Sequence, residues 1–140
     1  MTDLVIDASV AIKWVIEEHG TREALTLHRH RLFAPDLLMA ECANVLWKKA
    51  RRKELSADEA HLAAGLLQRA DVELLPMRPL LESATALAIA LDHPPYDCIY
   101  LALAGSLSCD LVTADQRLSA KALPAGYKSK VLALTTGALP

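Results

Sequence analysis

Leu4-Val5-Ile6-Asp7-Ala8-Ser9-Val10 decides the fold of this chain. Three consecutive apolar residues, two of them β-branched, run straight into an acid and then into helix-forming sequence. A continuous apolar run of this length reads as a parallel strand covered on both faces, not as the alternating pattern of a half-exposed sheet. Ser9 is expected to cap a helix running from about Val10 to Glu18. A strand followed at once by a helix is the repeating unit of a parallel sheet.

The same pattern recurs along the chain. Gly20 breaks the first helix, and Thr21 is read as the cap of a second, ending near His30. Leu32-Phe33-Ala34 is a short strand closed by Pro35, followed by a helix from about Leu37 to Arg52. Ser56-Ala57-Asp58-Glu59 is a capping box opening a helix to about Ala70. Val72–Leu75 is a strand, Leu80–Leu91 a helix, and His93-Pro94-Pro95 a turn. Asp97–Ser106 is a helix, Asp110–Thr113 a strand, Gln116–Ala122 a short helix and Val131–Leu134 a last strand. Short strands alternating with helices predict an α/β fold with a central parallel sheet. At 140 residues, with no repeat or linker, residues 1–140 are expected to form a single domain.

Hydrophobic residues make up 53% of the chain, but aromatics only 4%, so the core must be built from Leu, Val, Ile and Ala. The net charge is −2, not the strongly basic balance of a protein that coats nucleic acid. Clustered acids can lower the net charge of an enzyme whose basic residues lie elsewhere. Cys42, Cys98 and Cys109 form no C-x-x-C pair, which argues against a zinc ribbon and reads as reduced thiols. The chain enters an apolar strand within four residues, without a leader-like pattern. Runs such as Ala84–Leu91 fall short of the ~18 residues of a membrane span. A cytoplasmic protein with no membrane association is expected.

Four acids stand out: Asp7, Glu41, Asp97 and Asp115. Asp7 closes Leu4-Val5-Ile6, and Asp115 follows Leu111-Val112-Thr113-Ala114. In open parallel sheets ligands bind beyond the carboxyl ends of the strands, so topology alone places these two on one edge. Glu41 and Asp97 lie in apolar helical sequence. Asp97 falls in a first turn, where the helix dipole already favours a negative charge. Read from its own neighbours, Glu41 fits a metal site or a solvated face with Lys48 equally well. Carboxylates in apolar sequence are costly to bury unless their charge is offset. A hard divalent cation such as Mg²⁺ does this through carboxylate and water oxygens. Ser9 and Thr113 each stand two residues from a strand-end acid, and Asn44 one helical turn beyond Glu41. The set points to a metal-dependent site for phosphodiester chemistry.

Four segments together resemble a known family. Val5-Ile6-Asp7-Ala8-Ser9-Val10, Glu41-Cys42-Ala43-Asn44-Val45-Leu46, Tyr96-Asp97-Cys98-Ile99-Tyr100-Leu101-Ala102-Leu103-Ala104 and Leu111-Val112-Thr113-Ala114-Asp115 are similar, in order and spacing, to PIN-domain ribonucleases, and among them to VapC-type toxins. The resemblance implies a three-layer α/β/α PIN-like domain. It implies that Asp7, Glu41, Asp97 and Asp115 are catalytic and hold Mg²⁺ or Mn²⁺, supported by Ser9, Asn44 and Thr113. It further implies an endoribonuclease, the toxin of a type II toxin–antitoxin pair, with RNA as substrate, a cognate antitoxin as partner, and homodimerisation. Trp14, Trp47 and the Leu-rich helices are readable as an apolar groove for a partner helix.

Lys48-Lys49-Ala50-Arg51-Arg52-Lys53 is a basic run at the end of the Glu41 helix. Lys48, Lys49, Arg51 and Arg52 are RNA-backbone candidates, with Lys13 and Lys121 nearer the acidic edge. The plain alternative for the run is a solvated helix end, where cations suit the dipole. The five histidines lack an H-E-x-x-H arrangement and are expected at the surface or in caps. A haloacid-dehalogenase-type phosphatase would need a second acid where Ser9 stands. A receiver domain would need a phospho-accepting Asp and a distal Lys, and neither is clear here. No P-loop sequence is present. The rival from another class is a non-catalytic α/β nucleic-acid or partner-binding module that retains a vestigial acidic pocket.

Overall fold

All five strands expected from the apolar runs form, and all pair in parallel. The computed structural model describes residues 2–135 and 139–140. The strands are β1 (Asp3–Ile6), β2 (Arg31–Pro35), β3 (Glu73–Leu75), β4 (Asp110–Thr113) and β5 (Val131–Ala133). Their order across the sheet is β3-β2-β1-β4-β5. Leu4, Val5, Ile6, Leu111 and Val112 are all buried, because helices cover the sheet on both faces. The helices are α1 (Ala8–Ala11), α2 (Thr21–Thr26), α3 (Leu37–Arg51), α4 (Ala57–Gln68), α5 (Leu81–Leu91), α6 (Pro95–Leu107) and α7 (Gln116–Ser119). α3 packs on α4 and α5 on α6, while α6 lies against β1, β2 and β4. This is the expected three-layer α/β/α arrangement. Among the described residues no helix is long and apolar enough to cross a membrane.

The core is largely aliphatic, as composition required, with Phe33 and Tyr100 as its buried aromatics. Tyr100 on α6 is completely buried and is among the largest of the enclosed side chains. The three cysteines are free. The capping box at Ser56 and Glu59 forms with both of its hydrogen bonds.

The first helix differs from its expectation in a way that matters for the site. Its N-cap is Asp7, not Ser9: Asp7 is extended, and its carboxylate accepts from the Val10 amide at 3.3 Å. Ser9 therefore sits inside the helix, free to donate its hydroxyl. The helix is also shorter than expected, passing at Ile12–Trp14 into a 3₁₀ turn. Thr21 is not a cap either. Gly20 takes that place with φ 91°, a left-handed conformation that glycine adopts without penalty. The Thr21 hydroxyl instead accepts from the Glu18 amide and donates to the Ile16 carbonyl, pinning the preceding turn.

Candidate active site

The strand order runs outward in both directions from β1, so the switch in direction falls between β1 and β4. Crevices at such switch points are where open α/β sheets place their ligands. β1 and β4 run in register, with Val5 beside Leu111 and Ile6 beside Val112. The next residues, Asp7 and Thr113, emerge together at the carboxyl edge.

Asp7 is only 5% exposed and is held on several sides. Ser9 Oγ donates to its Oδ1 at 2.5 Å, and Thr113 Oγ1 donates to its Oδ2 at 2.5 Å. Ser9 Oγ accepts from the Ala114 amide at 2.9 Å, and Thr113 Oγ1 from the Asp115 amide at 3.0 Å. The two hydroxyls thus tie the end of β4 to the end of β1. Burial nevertheless pushes the Asp7 carboxyl up to about 6, against the hydrogen bonds that lower it, and the charge of Asp97 adds to the rise.

Glu41 and Asp97 arrive from helices. Glu41 lies in the second turn of α3, which begins directly after β2. Tyr100 Oη donates to Glu41 Oε1 at 2.5 Å. Burial raises the Glu41 carboxyl, the Tyr100 bond lowers it, and Asp97 raises it further. Asp97 stands in the first turn of α6, opened by Pro95. Its Oδ2 lies 2.6 Å from His93 Nε2. Asp97 therefore raises both Asp7 and Glu41 through its charge. The Cys42 thiol is pushed up to about 12 by burial, Glu41 and Asp7, which removes it as a nucleophile at neutral pH.

Asp115 joins the edge but is held differently. It caps α7, accepting from the Arg117 amide at 2.9 Å, and its side chain is 29% exposed. Asn44 is exposed on α3, and its side chain joins none of the site's hydrogen bonds.

Two contributors were not expected from sequence. Tyr100 is the side chain that reaches Glu41; its only sequence signal is a tyrosine three residues after Asp97, on the same helical face. His93 corrects the expectation of surface or capping histidines. Its side chain is 7% exposed and it grips Asp97 across the Pro94-Pro95 turn. His93 and Asp97 are four residues apart, but the intervening prolines hide the pairing.

The donor chemistry suits a hard cation: carboxylates dominate, and burial together with the charge of Asp97 raises Asp7 and Glu41 where a positive charge would lower them. Among the described residues, no three His, Cys, Asp or Glu side chains stand together as a ready cage.

The basic residues divide. Lys13 pairs with Glu18 at 3.0 Å, and Lys49 with Glu18 at 3.4 Å and Glu54 at 3.6 Å. The Arg51 guanidinium lies 5.3 Å from the Trp47 ring centroid. Lys48, Arg51 and Arg52 sit about 10–16 Å farther along the α3 axis than Glu41, at 1.5 Å per residue. Trp47 is 55% exposed, while Trp14 is half-buried, its indole donating to the Ala24 carbonyl.

Comparison with known proteins bears on the whole domain. A family model described as "PIN domain" matches residues 4–123. Ribonuclease VapC9 of Mycobacterium tuberculosis is 34% identical over 116 residues, covering 83% of this chain and 88% of that protein. Ribonuclease VapC3 of Pyrobaculum aerophilum is 34% identical over 125 residues, covering 84% and 93%. Among solved structures, PAE2754 from Pyrobaculum aerophilum superposes with a TM-score of 0.68 at 24% identity, covering 95% of this chain and 90% of that one.

Proposed function

This chain belongs to the PIN domain family, and on that premise we propose that it is a VapC-type endoribonuclease, hydrolysing RNA phosphodiester bonds with Mg²⁺ or Mn²⁺. The observation that carries this reading is Asp7. It is a buried carboxylate at the β1/β4 switch point, within electrostatic reach of Asp97 and sharing that neighbour with Glu41.

Asp7, Glu41, Asp97 and Asp115 are the residues that would hold the ion. When bound, it would acidify a water for attack and neutralise charge on the phosphate. The rest is done by the protein. Ser9 and Thr113 fix both oxygens of Asp7, so its orientation is set before substrate arrives. Tyr100 does the same for one oxygen of Glu41, and His93 for one oxygen of Asp97. Each leaves the other oxygen available. Carboxylates locked this way lose little freedom when the site loads. No side-chain nucleophile is required.

The reading brings partners with it. We assign the chain as the cytoplasmic toxin of a type II pair, neutralised by a cognate antitoxin and forming a homodimer. Exposed apolar residues support protein partners: Trp47, Leu62 and Leu66 on α3 and α4, and Leu81, Ile89 and Tyr96 on α5 and α6.

The test is cleavage of a pool of structured cellular RNAs by partner-free protein, with Mg²⁺ or Mn²⁺, with EDTA, and with Asp97→Asn. Metal-dependent cutting lost in the variant supports the nuclease. A folded protein that cuts nothing under any condition returns the chain to the non-catalytic binding module.

A further inference from the structure

Beside Asp97 lies an open cavity of ≈ 500 Å³ whose walls come from two separate parts of the chain. Asp92, His93 and Asp97 supply one side from the α5–α6 turn and the start of α6. Arg117 and Lys121 supply the other from α7 and the turn after it. From this we infer that the cavity is a subsite for a backbone phosphate of the RNA, next to the one being cut, held by Arg117 and Lys121. The inference rests on the ribonuclease reading and deepens it.

The chemistry is specific to a phosphate rather than a base. Among the described residues no Phe, Tyr or Trp lines the cavity, and its one imidazole, His93, is 7% exposed and engaged with Asp97, so no free stacking platform is offered. The two cations differ in how they are held. Lys121 Nζ donates to the Leu91 carbonyl at 3.2 Å and the Asp92 carbonyl at 3.5 Å, which anchors the ammonium across the cavity. An ammonium has three donors, so one remains for a ligand. Arg117 has an 89% exposed side chain, and its Nε is 3.7 Å from Asp115 Oδ1, too far for a hydrogen bond. Its fork of donors is thus open to a phosphate while remaining next to one of the site acids.

Charge balance supports the same occupant. Asp92 and Asp97 face Arg117 and Lys121, so the cavity is close to neutral before His93 is considered. An isolated anion gains little there. A phosphate tethered to a nucleotide already engaged at the acidic site is delivered at high effective concentration. The basic run at the end of α3 lacks this adjacency, being displaced along the helix axis from Glu41. The cavity also has a direction: it extends the acidic edge from Asp97 towards α7, so it takes the chain on one side of the cut only.

The experiment uses full-length protein carrying Asp7→Asn, to suppress cutting, and a short fluorescein-labelled single-stranded RNA titrated at several KCl concentrations with Mg²⁺ present. Arg117→Ala and Lys121→Gln are compared with Arg22→Ala, a charge-matched loss on α2. The inference predicts roughly ten-fold weaker binding for Arg117→Ala and a salt slope about 0.7 shallower, with a similar loss for Lys121→Gln and none for Arg22→Ala. In the cutting-competent background KM rises and kcat stays within about two-fold. Should Lys121→Gln fail to fold, Arg117→Ala alone decides, since its side chain is solvent-facing. Unchanged affinity and slope, or an equal loss in Arg22→Ala, overturns the subsite while leaving the nuclease reading intact if the chain with Asp7 unaltered cuts RNA. Absence of RNA binding by the Asp7→Asn protein together with absence of cutting by the unaltered chain overturns both.

Discussion

Asp7 and Asp115 stand at the ends of neighbouring parallel strands, each followed by a short helix that it caps, yet they are different chemical objects. Asp7 is enclosed, with two hydroxyls and an amide on its carboxylate, and its proton affinity is raised by burial. Asp115 is partly solvated and spends its side chain on its own helix. The local sequence rule is the same at both corners. The difference is that β1 lies in the middle of the sheet with helices packed over its end, while the β4 end opens towards α7 and the cavity lined by Arg117. Both acids cap a helix, but desolvation raises the proton affinity only of the one at the end of β1, while water reaches the one after β4.

The largest expected effect attacks the enclosed corner directly. Asp7→Asn should lower RNA cleavage by about 10³-fold or more, the scale of removing an oriented charge from an active site. Asp115→Ala should lower it far less, which single-turnover cleavage of one RNA by both variants measures. Equal losses would erase the distinction between the corners. Next in size is metal binding. His93→Ala leaves Asp97 intact but unrestrained, and should weaken Mn²⁺ binding by about 10–100-fold, as loss of an outer partner does at other metal sites. Mn²⁺-induced stabilisation of the nuclease-inactive Asp7→Asn protein is not suited to this, so the titration belongs in the otherwise unaltered chain, followed by melting temperature without RNA.

Stability sharpens the contrast because the two corners should respond with opposite sign. The Asp7 carboxyl binds its proton more tightly folded, at about 6, than unfolded, near 3.8. The folded state therefore holds more protons between those values, and stability falls as pH rises through that window. Two pKa units correspond to a destabilising cost of about 3 kcal/mol, fully felt above pH 6 and absent below pH 4. In EDTA at pH 7, Asp7→Asn should gain part of that amount, and denaturant unfolding at pH 4 and pH 7 should show a weaker pH dependence than the parent. Asp115→Ala is the smallest effect: it removes an N-cap and should cost about 1 kcal/mol. A destabilised Asp7→Asn at pH 7 would mean that its hydrogen bonds outweigh its desolvation.

Several elements were readable in advance because they depend on neighbours in sequence. β4 begins and ends at the expected residues, since Asp110-Leu111-Val112-Thr113 is a short apolar run bounded by polar turns. The capping box at Ser56 is equally local. Ser9 was misread for an equally local reason. Asp7 and Ser9 are both good caps two residues apart, and only the fixed end of β1 decides that Asp7 occupies the capping position. The Lys13–Glu18–Lys49 pairing joins residues up to 36 positions apart, counting from Lys13 to Lys49, and no charge pattern along the chain announces it.

Sequence by itself determined the class of fold, the parallel sheet, and the placing of Asp7 and Asp115 at strand ends, because apolar run length and the acids that close each run are one-dimensional facts. The four-motif resemblance extended that to the family. Tertiary structure alone decided the strand order, and with it which strand ends meet. It decided that Thr113 serves Asp7 rather than Asp115's own carboxylate, that Tyr100 crosses the core to Glu41, and that His93 turns inward to Asp97. Burial, hydrogen-bond geometry and mutual repulsion depend on distances through space, and in a sheet ordered β3-β2-β1-β4-β5 those distances are set by contacts between residues as far apart as Asp7 and Thr113.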